Sequence, residues 1–360
     1  MMNDAPAQIP ALSIQRILIV KLRHHGDMLL TTPVINTLKA NYPDAQIDVL
    51  LYKETRDMLA SNPALSNVWE IDRQWKKQGT LAHIRHELRL IRQLQARHYD
   101  VVVNLADQWR SALLTRLLGA RIRLGFDFPK RRGYLWRHCH THLVPVSQHV
   151  NLHTVEQNLS LLQPLGLEAV DTRVTMSYAP HDWQTCEGLL LQQNISDSYI
   201  VVQPTSRWLF KCWSEEKMAA TISALHADGH TIVISSGPET NERQMVERIL
   251  SQCPPQGVVS LAGQLTLPQL AALIDHATLF IGVDSVPMHM AAALQTPCIA
   301  LFGPSKLTFW RPWHAIGQVI WAGDYGALPD PDDINTGTDK RYLDLIPTDA
   351  VIEAARSQLS

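Results

Sequence analysis

The chain has 360 residues, 46% hydrophobic and 18% charged, which supplies apolar material for two cores of ordinary size and excludes a disordered protein. No apolar run reaches the roughly 18 residues of a membrane span, and the first ten residues do not read as a secretory signal. Net charge is −2 but lopsided: residues 1–175 carry 22 Lys and Arg against 15 Asp and Glu, and residues 176–360 carry 10 against 19, so the first half is expected to meet something anionic. Five scattered cysteines, an odd number, suit reduced thiols in the cytoplasm rather than a disulfide framework.

In chain order, Arg16 to Leu22 (RILIVKL) is apolar and β-branched and predicts a buried strand. Met28 to Leu38 has helical spacing, with Pro33 tolerable in a first turn or as a kink. Gln46–Tyr52 and Asn67–Ile71 read as strands. Gly79–His98 reads as a long helix with Leu81, Ile84, Leu88, Ile91 and Leu94 on one buried face and its arginines on the solvated one. Tyr99–Leu105 and Ile122–Gly125 are strands either side of a helix over Trp109–Leu118. The segment Arg121–His142 is basic and aromatic and reads as a mobile loop. A metal site from His138, Cys139, His140 and His142, alternating along a strand, is the weaker alternative because no second shell is visible. A helix over His153–Leu165 and a linker around Leu167–Trp183 follow.

A second alternating set then begins. Strands are predicted over Tyr199–Val202, Thr231–Ser235, Val258–Leu261, Leu279–Val283, Cys298–Phe302 and Gln318–Ala322. Helices are predicted over Ser214–Ala227, Glu239–Leu250, Leu267–Asp275, the run ending at Leu294, and Thr348–Leu359. The fold class is α/β, with two doubly wound Rossmann-like domains, 1–175 and 176–360, and a cleft between the carboxyl ends of their strands where ligands bind. The closing helix could return onto the first domain.

Strand ends carry the chemistry in such folds. Asp27 follows the first strand, either as a helix N-cap or as a general base. Thr205 and Ser206 offer hydroxyls and backbone N–H groups, and Lys211 a mobile cation suited to phosphate. Glu239 could bind ribose hydroxyls. Asp284 and Ser285 stand where an N-cap is wanted, Pro287 fits an early helical position, and His289 lies one turn in. Such a helix start aims N–H groups and a positive dipole end at an anion. No dinucleotide-binding or Walker A pattern occurs.

The segments RILIVKLRHHGDMLLTTPV, QPTSRWLFKCW and GVDSVPMHMAAALQTPCIALFGPS resemble, in order, the signatures of glycosyltransferase family 9, the bacterial lipopolysaccharide heptosyltransferases. The resemblance covers nearly the whole chain. It implies the GT-B fold and a metal-free, inverting transfer of L-glycero-D-manno-heptose from ADP-heptose, a substrate rather than a cofactor, to a lipid A–core acceptor. By the same resemblance Asp27 is the catalytic base, and Thr205, Ser206 and Lys211 contact the diphosphate. Asp284, Ser285 and His289 form the nucleotide motif, Leu265 lies beside the adenine and Glu239 is a weaker match to a ribose carboxylate. The DSVPMH variant points to the branch that adds the third, branching heptose to the second heptose of the inner core. Val286 departs from the family's usual Gly, so a left-handed backbone there would be strained. Lys130, Arg131 and Arg132 are expected to meet acceptor phosphates or an anionic leaflet, placing a cytoplasmic protein peripherally on the inner membrane, with no nucleic-acid partner. Two other readings are a non-catalytic sugar-nucleotide binder and a GT-B-like sugar-nucleotide epimerase.

Overall fold

The computed structural model describes residues 13–131 and 133–360, and the chain divides into two compact units between Thr175 and Met176. Each unit is built on one six-stranded sheet whose neighbouring strands all pair in parallel. A parallel sheet is covered on both faces, so its strands must be apolar throughout rather than alternating. Strands such as LFIGV and CIALF meet that demand and are wholly buried.

The first unit runs β1 (Arg16–Val20), α1 (His25–Leu29), α2 (Thr32–Asn41), β2 (Gln46–Tyr52), β3 (Asn67–Ile71), α3 (Thr80–Gln95), β4 (Val101–Asn104), α4 (Trp109–Leu117), β5 (Ile122–Asp127), α5 (Tyr134–Cys139), β6 (His142–Pro145) and α6 (Thr154–Ser160). Strand order is β3-β2-β1-β4-β5-β6. Right-handed crossovers then place α2 on one face and α3, α4 and α5 together on the other. The packing agrees: α2 touches α6, α3 touches α4, and α4 touches α5.

Three expectations are corrected here. The helix read over Met28–Leu38 is two helices, because Pro33 occupies the second position of α2, where its missing N–H is harmless. On α3 the buried residues are Leu90 and Leu94, which pack on Leu18, Val20, Leu50 and Val102. Nine residues of helix put Leu81 about 180° from Leu90, so Leu81, Ile84 and Leu88 face solvent beside the arginines. The segment Arg121–His142 is not a loop throughout. It holds β5, α5 and β6, pinned by a fully buried Trp136 whose Nε1 donates to the Phe126 carbonyl at 3.0 Å.

The second unit runs α7 (Pro180–Gln192), β7 (Tyr199–Gln203), α8 (Glu215–Ala227), β8 (Thr231–Ile234), α9 (Thr240–Leu250), β9 (Val258–Ser260), α10 (Leu267–Asp275), β10 (Leu279–Val283), α11 (Val286–Leu294), β11 (Cys298–Phe302), α12 (Leu307–Trp310), β12 (Gly317–Trp321) and α13 (Thr348–Leu359). Strand order is β12-β11-β10-β7-β8-β9. The predicted linker overran into α7, where Pro180 opens the helix rather than breaking it. The Ala179 N–H there donates to the Asp182 carboxylate at 2.8 Å. The closing helix α13 packs on α8 and beside β10, β11 and β12 of this unit. Among the described residues no helix is long and apolar enough to cross a membrane.

Candidate active site

In the first unit the carboxyl edge of the sheet gathers Lys21, Asp27, Asn104, Asp107 and Asp127. Asp27 is the third residue of α1, and His24 stands at the N-cap, so the N-cap reading of Asp27 does not hold. Its backbone carbonyl accepts from Thr31 Oγ1, which leaves the side chain for other work. The carboxylate lies 4.0 Å from the ammonium of Lys21, a lysine 6% exposed. Lys21 Nζ donates to Asn158 Oδ1 at 3.0 Å, and Asn158 Nδ2 donates to the Leu30 carbonyl. Burial lowers the Lys21 pKa from its ordinary value, and the charge of Asp27 opposes that shift. A buried ammonium, fixed by an amide, thus stands beside a half-buried carboxylate at a strand end. At β5 the carboxylate of Asp127 has a buried Oδ1 with no hydrogen-bond partner among the described residues. The sequence reading passed over Asp127 because it lay in a segment taken for a loop.

The basic stretch reaches the same edge. Arg131 donates from Nε to the Asp107 carbonyl at 2.8 Å and lies over the ring of Trp109, while Arg23 pairs with the Asp107 carboxylate at 3.2 Å. Lys130 is exposed, and Arg132 lies outside the described residues. The four-residue His/Cys cluster does not form. His140 points its Nδ1 at the Trp136 carbonyl (2.9 Å) and its Nε2 at Asn104 Nδ2 (3.1 Å), which makes it a core histidine with both nitrogens engaged. Burial lowers its pKa. His138 stacks on Tyr134, and His142 contacts Thr141. Among the described residues no three His, Cys, Asp or Glu side chains come together as metal ligands.

In the second unit the predicted residues converge more tightly. Lys211 Nζ donates to Asp284 Oδ2 at 2.6 Å and lies over the Trp208 ring, so it is a held cation rather than a mobile one. Two opposite charges largely withdrawn from water stay together, because leaving either alone is costly. Ser305 Oγ donates to the same Asp284 oxygen at 2.5 Å, and Ser206 Oγ donates to the Asp284 carbonyl at 3.3 Å. The Ser206 N–H points at the Sγ of Cys212, whose thiol burial pushes up to about 11.

Ser285 is the N-cap of α11 in an extended conformation, its hydroxyl turned to the Val283 carbonyl. The first-turn N–H groups of α11 are therefore not spent on that side chain. Val286 is the first helical residue and is not among those with a left-handed backbone, so the strain expected there does not arise. His289 is buried one turn in. Thr205 Oγ1 donates to Glu242 Oε2 at 2.6 Å, and Gly237 N–H donates to the same oxygen at 3.0 Å. Glu242, not Glu239, is thus the carboxylate that reaches this cluster. Glu239 is an exposed N-cap residue of α9. Leu265 is half-buried just before α10, on a loop tied to the end of β8 through the Gly263 N–H and the Ser236 carbonyl. Glu242 and Ser305 escaped the sequence reading. The one lies within a helix and not at a strand end, and the other ends a segment whose Gly-Pro pair reads as a turn.

The glycosyltransferase family 9 (heptosyltransferase) model matches residues 87–336. Two Escherichia coli proteins named lipopolysaccharide heptosyltransferase 3 are 46% and 44% identical to this chain. They align over 92% and 94% of it and 96% of each relative. Lipopolysaccharide heptosyltransferase 1 of Pseudomonas aeruginosa is 25% identical over 87% of the chain and 85% of its own length. Among solved structures, a family 9 glycosyl transferase from Veillonella parvula superposes with a TM-score of 0.82 at 22% identity, covering 97% of this chain and 99% of its own. The E. coli ADP-heptose lps heptosyltransferase II superposes with a TM-score of 0.74 at 22% identity, covering 96% and 98%. Two parallel six-stranded α/β units are the GT-B-like architecture of these structures. The chain belongs to glycosyltransferase family 9, the heptosyltransferases.

Proposed function

We propose that the chain transfers L-glycero-D-manno-heptose from ADP-heptose to the heptose region of the lipopolysaccharide inner core, adding the third, branching heptose to the second. The observation that carries this reading is the 46% identity, over nearly the full length, to a lipopolysaccharide heptosyltransferase 3, against 25–26% for relatives named heptosyltransferase 1 or 2. In this reading the reaction inverts the anomeric centre and needs no cofactor or metal.

The acceptor hydroxyl attacks the anomeric carbon, and Asp27 takes its proton as the new C–O bond forms. ADP leaves on the opposite face with the bonding electron pair. General-base help of this kind is worth roughly 10² to 10⁴ in rate. Lys21 holds a positive charge beside the carboxylate. The leaving diphosphate meets Thr205, Ser206, Lys211 and the start of α11 at Ser285, fixed dipoles and a fixed cation that need little rearrangement. Asp284 orients Lys211, and His289 lies in the first turns of α11 behind Ser285. Leu265 lies against the adenine, and Glu239 takes the ribose. Lys130, Arg131 and Arg132 meet the phosphates of the acceptor or an anionic leaflet, with the protein on the cytoplasmic side of the membrane that carries its acceptor. Asp127 offers its carboxylate to an acceptor hydroxyl.

The test is incubation with ADP-heptose and lipopolysaccharide truncated after the second heptose, followed by mass spectrometry. Addition of one heptosyl unit, undiminished by EDTA, is expected. Consumption of ADP-heptose without acceptor would indicate an epimerase, and binding without turnover a sugar-nucleotide binder. Either result would overturn the proposal, as would activity abolished by EDTA and restored by Mg²⁺ for its metal-free part.

A further inference from the structure

The helices α3, α4 and α5 form one layer over the first sheet, and their outward surface is unusual. Eight of the fifteen large hydrophobic side chains exposed among the described residues sit on these three helices. On α3 they are Leu81, which is 86% exposed, Ile84 and Leu88. Spacings of three and four residues put them on one stripe. Leu113 and Leu117 repeat the pattern on α4, and Tyr134 and Leu135 follow on α5, at 79% and 65% exposed. A folded surface does not ordinarily present so many large apolar groups together, and contiguous ones mark an interaction site.

The polar residues among them are of one sign. The three helices carry six arginines and a single acid, Glu87, which is already paired with Arg110. Arg85, Arg89, Arg92, Arg116 and Arg137 are exposed. The wider segment 76–140 holds fourteen Lys and Arg against four Asp and Glu. Apolar side chains interleaved with arginine suit a surface that is itself anionic outside and apolar beneath. They do not suit a second copy of this chain, since a two-fold contact would press arginine against arginine. In a parallel α/β sheet the helices return antiparallel to the strands. The N-terminal turns bearing Leu81, Ile84, Tyr134 and Leu135 therefore lie at the carboxyl edge, the edge that carries Asp27.

We infer that the outward face of α3, α4 and α5 is a docking surface for an anionic lipid bilayer. Its arginines sit among the headgroup phosphates and its leucines reach the acyl boundary. The inference rests on the peripheral-membrane reading above but assigns the contact to the helix layer rather than to Lys130, Arg131 and Arg132.

Co-sedimentation of the full chain with phosphatidylcholine vesicles, with and without phosphatidylglycerol, tests it. The chain should bind the anionic vesicles at least tenfold better than the neutral ones, and added salt should weaken that binding. A Leu81→Glu/Leu88→Glu variant and an Arg85→Ala/Arg92→Ala variant should each lose about tenfold in vesicle binding. Transfer to a short, detergent-free acceptor should be unchanged. All four side chains are exposed, and an unchanged melting temperature shows that the fold is intact. Retained binding in both variants would overturn the inference. If Lys130→Ala/Arg131→Ala/Arg132→Ala alone released the vesicles, those residues and not the helix layer would be the contact. If the wild type bound no vesicles, the inference and the membrane reading would both fail. A dimer in sedimentation velocity that Leu81→Glu/Leu88→Glu dissolves would make this face an interface between copies instead.

Discussion

Lys211 and Asp284 hold each other at 2.6 Å in a place largely closed to water. Breaking a fully buried pair by removing one partner costs about 3–5 kcal/mol, and the figure is smaller here because Lys211 keeps some contact with solvent. Lys211→Ala should therefore lower the melting temperature as well as weaken ADP-sugar binding. Lys211→Ala combined with Asp284→Asn should recover part of the stability but none of the donor affinity. Calorimetry and titration with ADP separate the two. Equal loss of stability in the single and double variants would contradict the pairing. At this scale legibility followed position in the chain. Asp284 was visible because it directly follows an apolar run, and Asp27 and Ser206 because each stands within a few residues of one. Glu242 was not, because its approach to Thr205 and Gly237 depends on how α9 is set against β8.

Among the elements, long apolar strands were legible and short amphipathic pieces were not. RILIV and LFIGV announce burial on both faces. The four residues of β6 hide among histidines, and α5 is recognisable only through Trp136, whose burial no local pattern reveals. The stripe of α3 misled for a physical reason. Leu81, Ile84 and Leu88 make a better helical stripe than Leu90 and Leu94, yet the sheet covers only the latter.

The ties that hold α8 are likewise non-local. Glu215 at its first position accepts from Arg248 and from Arg341, which also donates to the Trp213 carbonyl. Burial works against the ionised form of Glu215, but the hydrogen bonds of Arg341 and Arg248 outweigh it and hold the carboxyl below its ordinary 4.5. A carboxyl whose pKa is lower folded than unfolded contributes stability that is full above the unfolded value and is lost as pH falls through the folded one. Glu215→Gln should therefore cost about 1.5–3 kcal/mol near neutral pH, the range for hydrogen bonds to a charged group. The difference from wild type should shrink as pH drops below about 4.5. Melting curves at several pH values check this, and a difference that grew on acidification would contradict it. In the sheet itself, Gly125 is required by packing, since a Cβ there would stand 2.3 Å from the His140 ring. Gly125→Ala should destabilise the first unit by about 1–3 kcal/mol, as overpacking does, measurable by denaturant titration.

For the whole molecule, the charge division between halves matches the division of labour proposed for the two units. The basic first unit carries the base and the cationic acceptor contacts, and the acidic second unit handles the nucleotide through a few local donors. Replacing Lys130, Arg131 and Arg132 by Ala should raise the acceptor KM and flatten its dependence on salt, because charge–charge attraction through water is screened by ions. The donor KM should barely move. Equal effects on both substrates, read from initial rates at several salt concentrations, would contradict the assignment. In the proposed reaction Asp27 acts on the acceptor hydroxyl while the nucleotide is held elsewhere. The most direct test of that role is Asp27→Ala, measured for both ADP affinity and turnover with saturating ADP-heptose and acceptor. An ADP dissociation constant near wild type and a kcat lower by about two to four decades are expected. Full activity in that variant, or a loss explained entirely by weaker ADP binding, would contradict it.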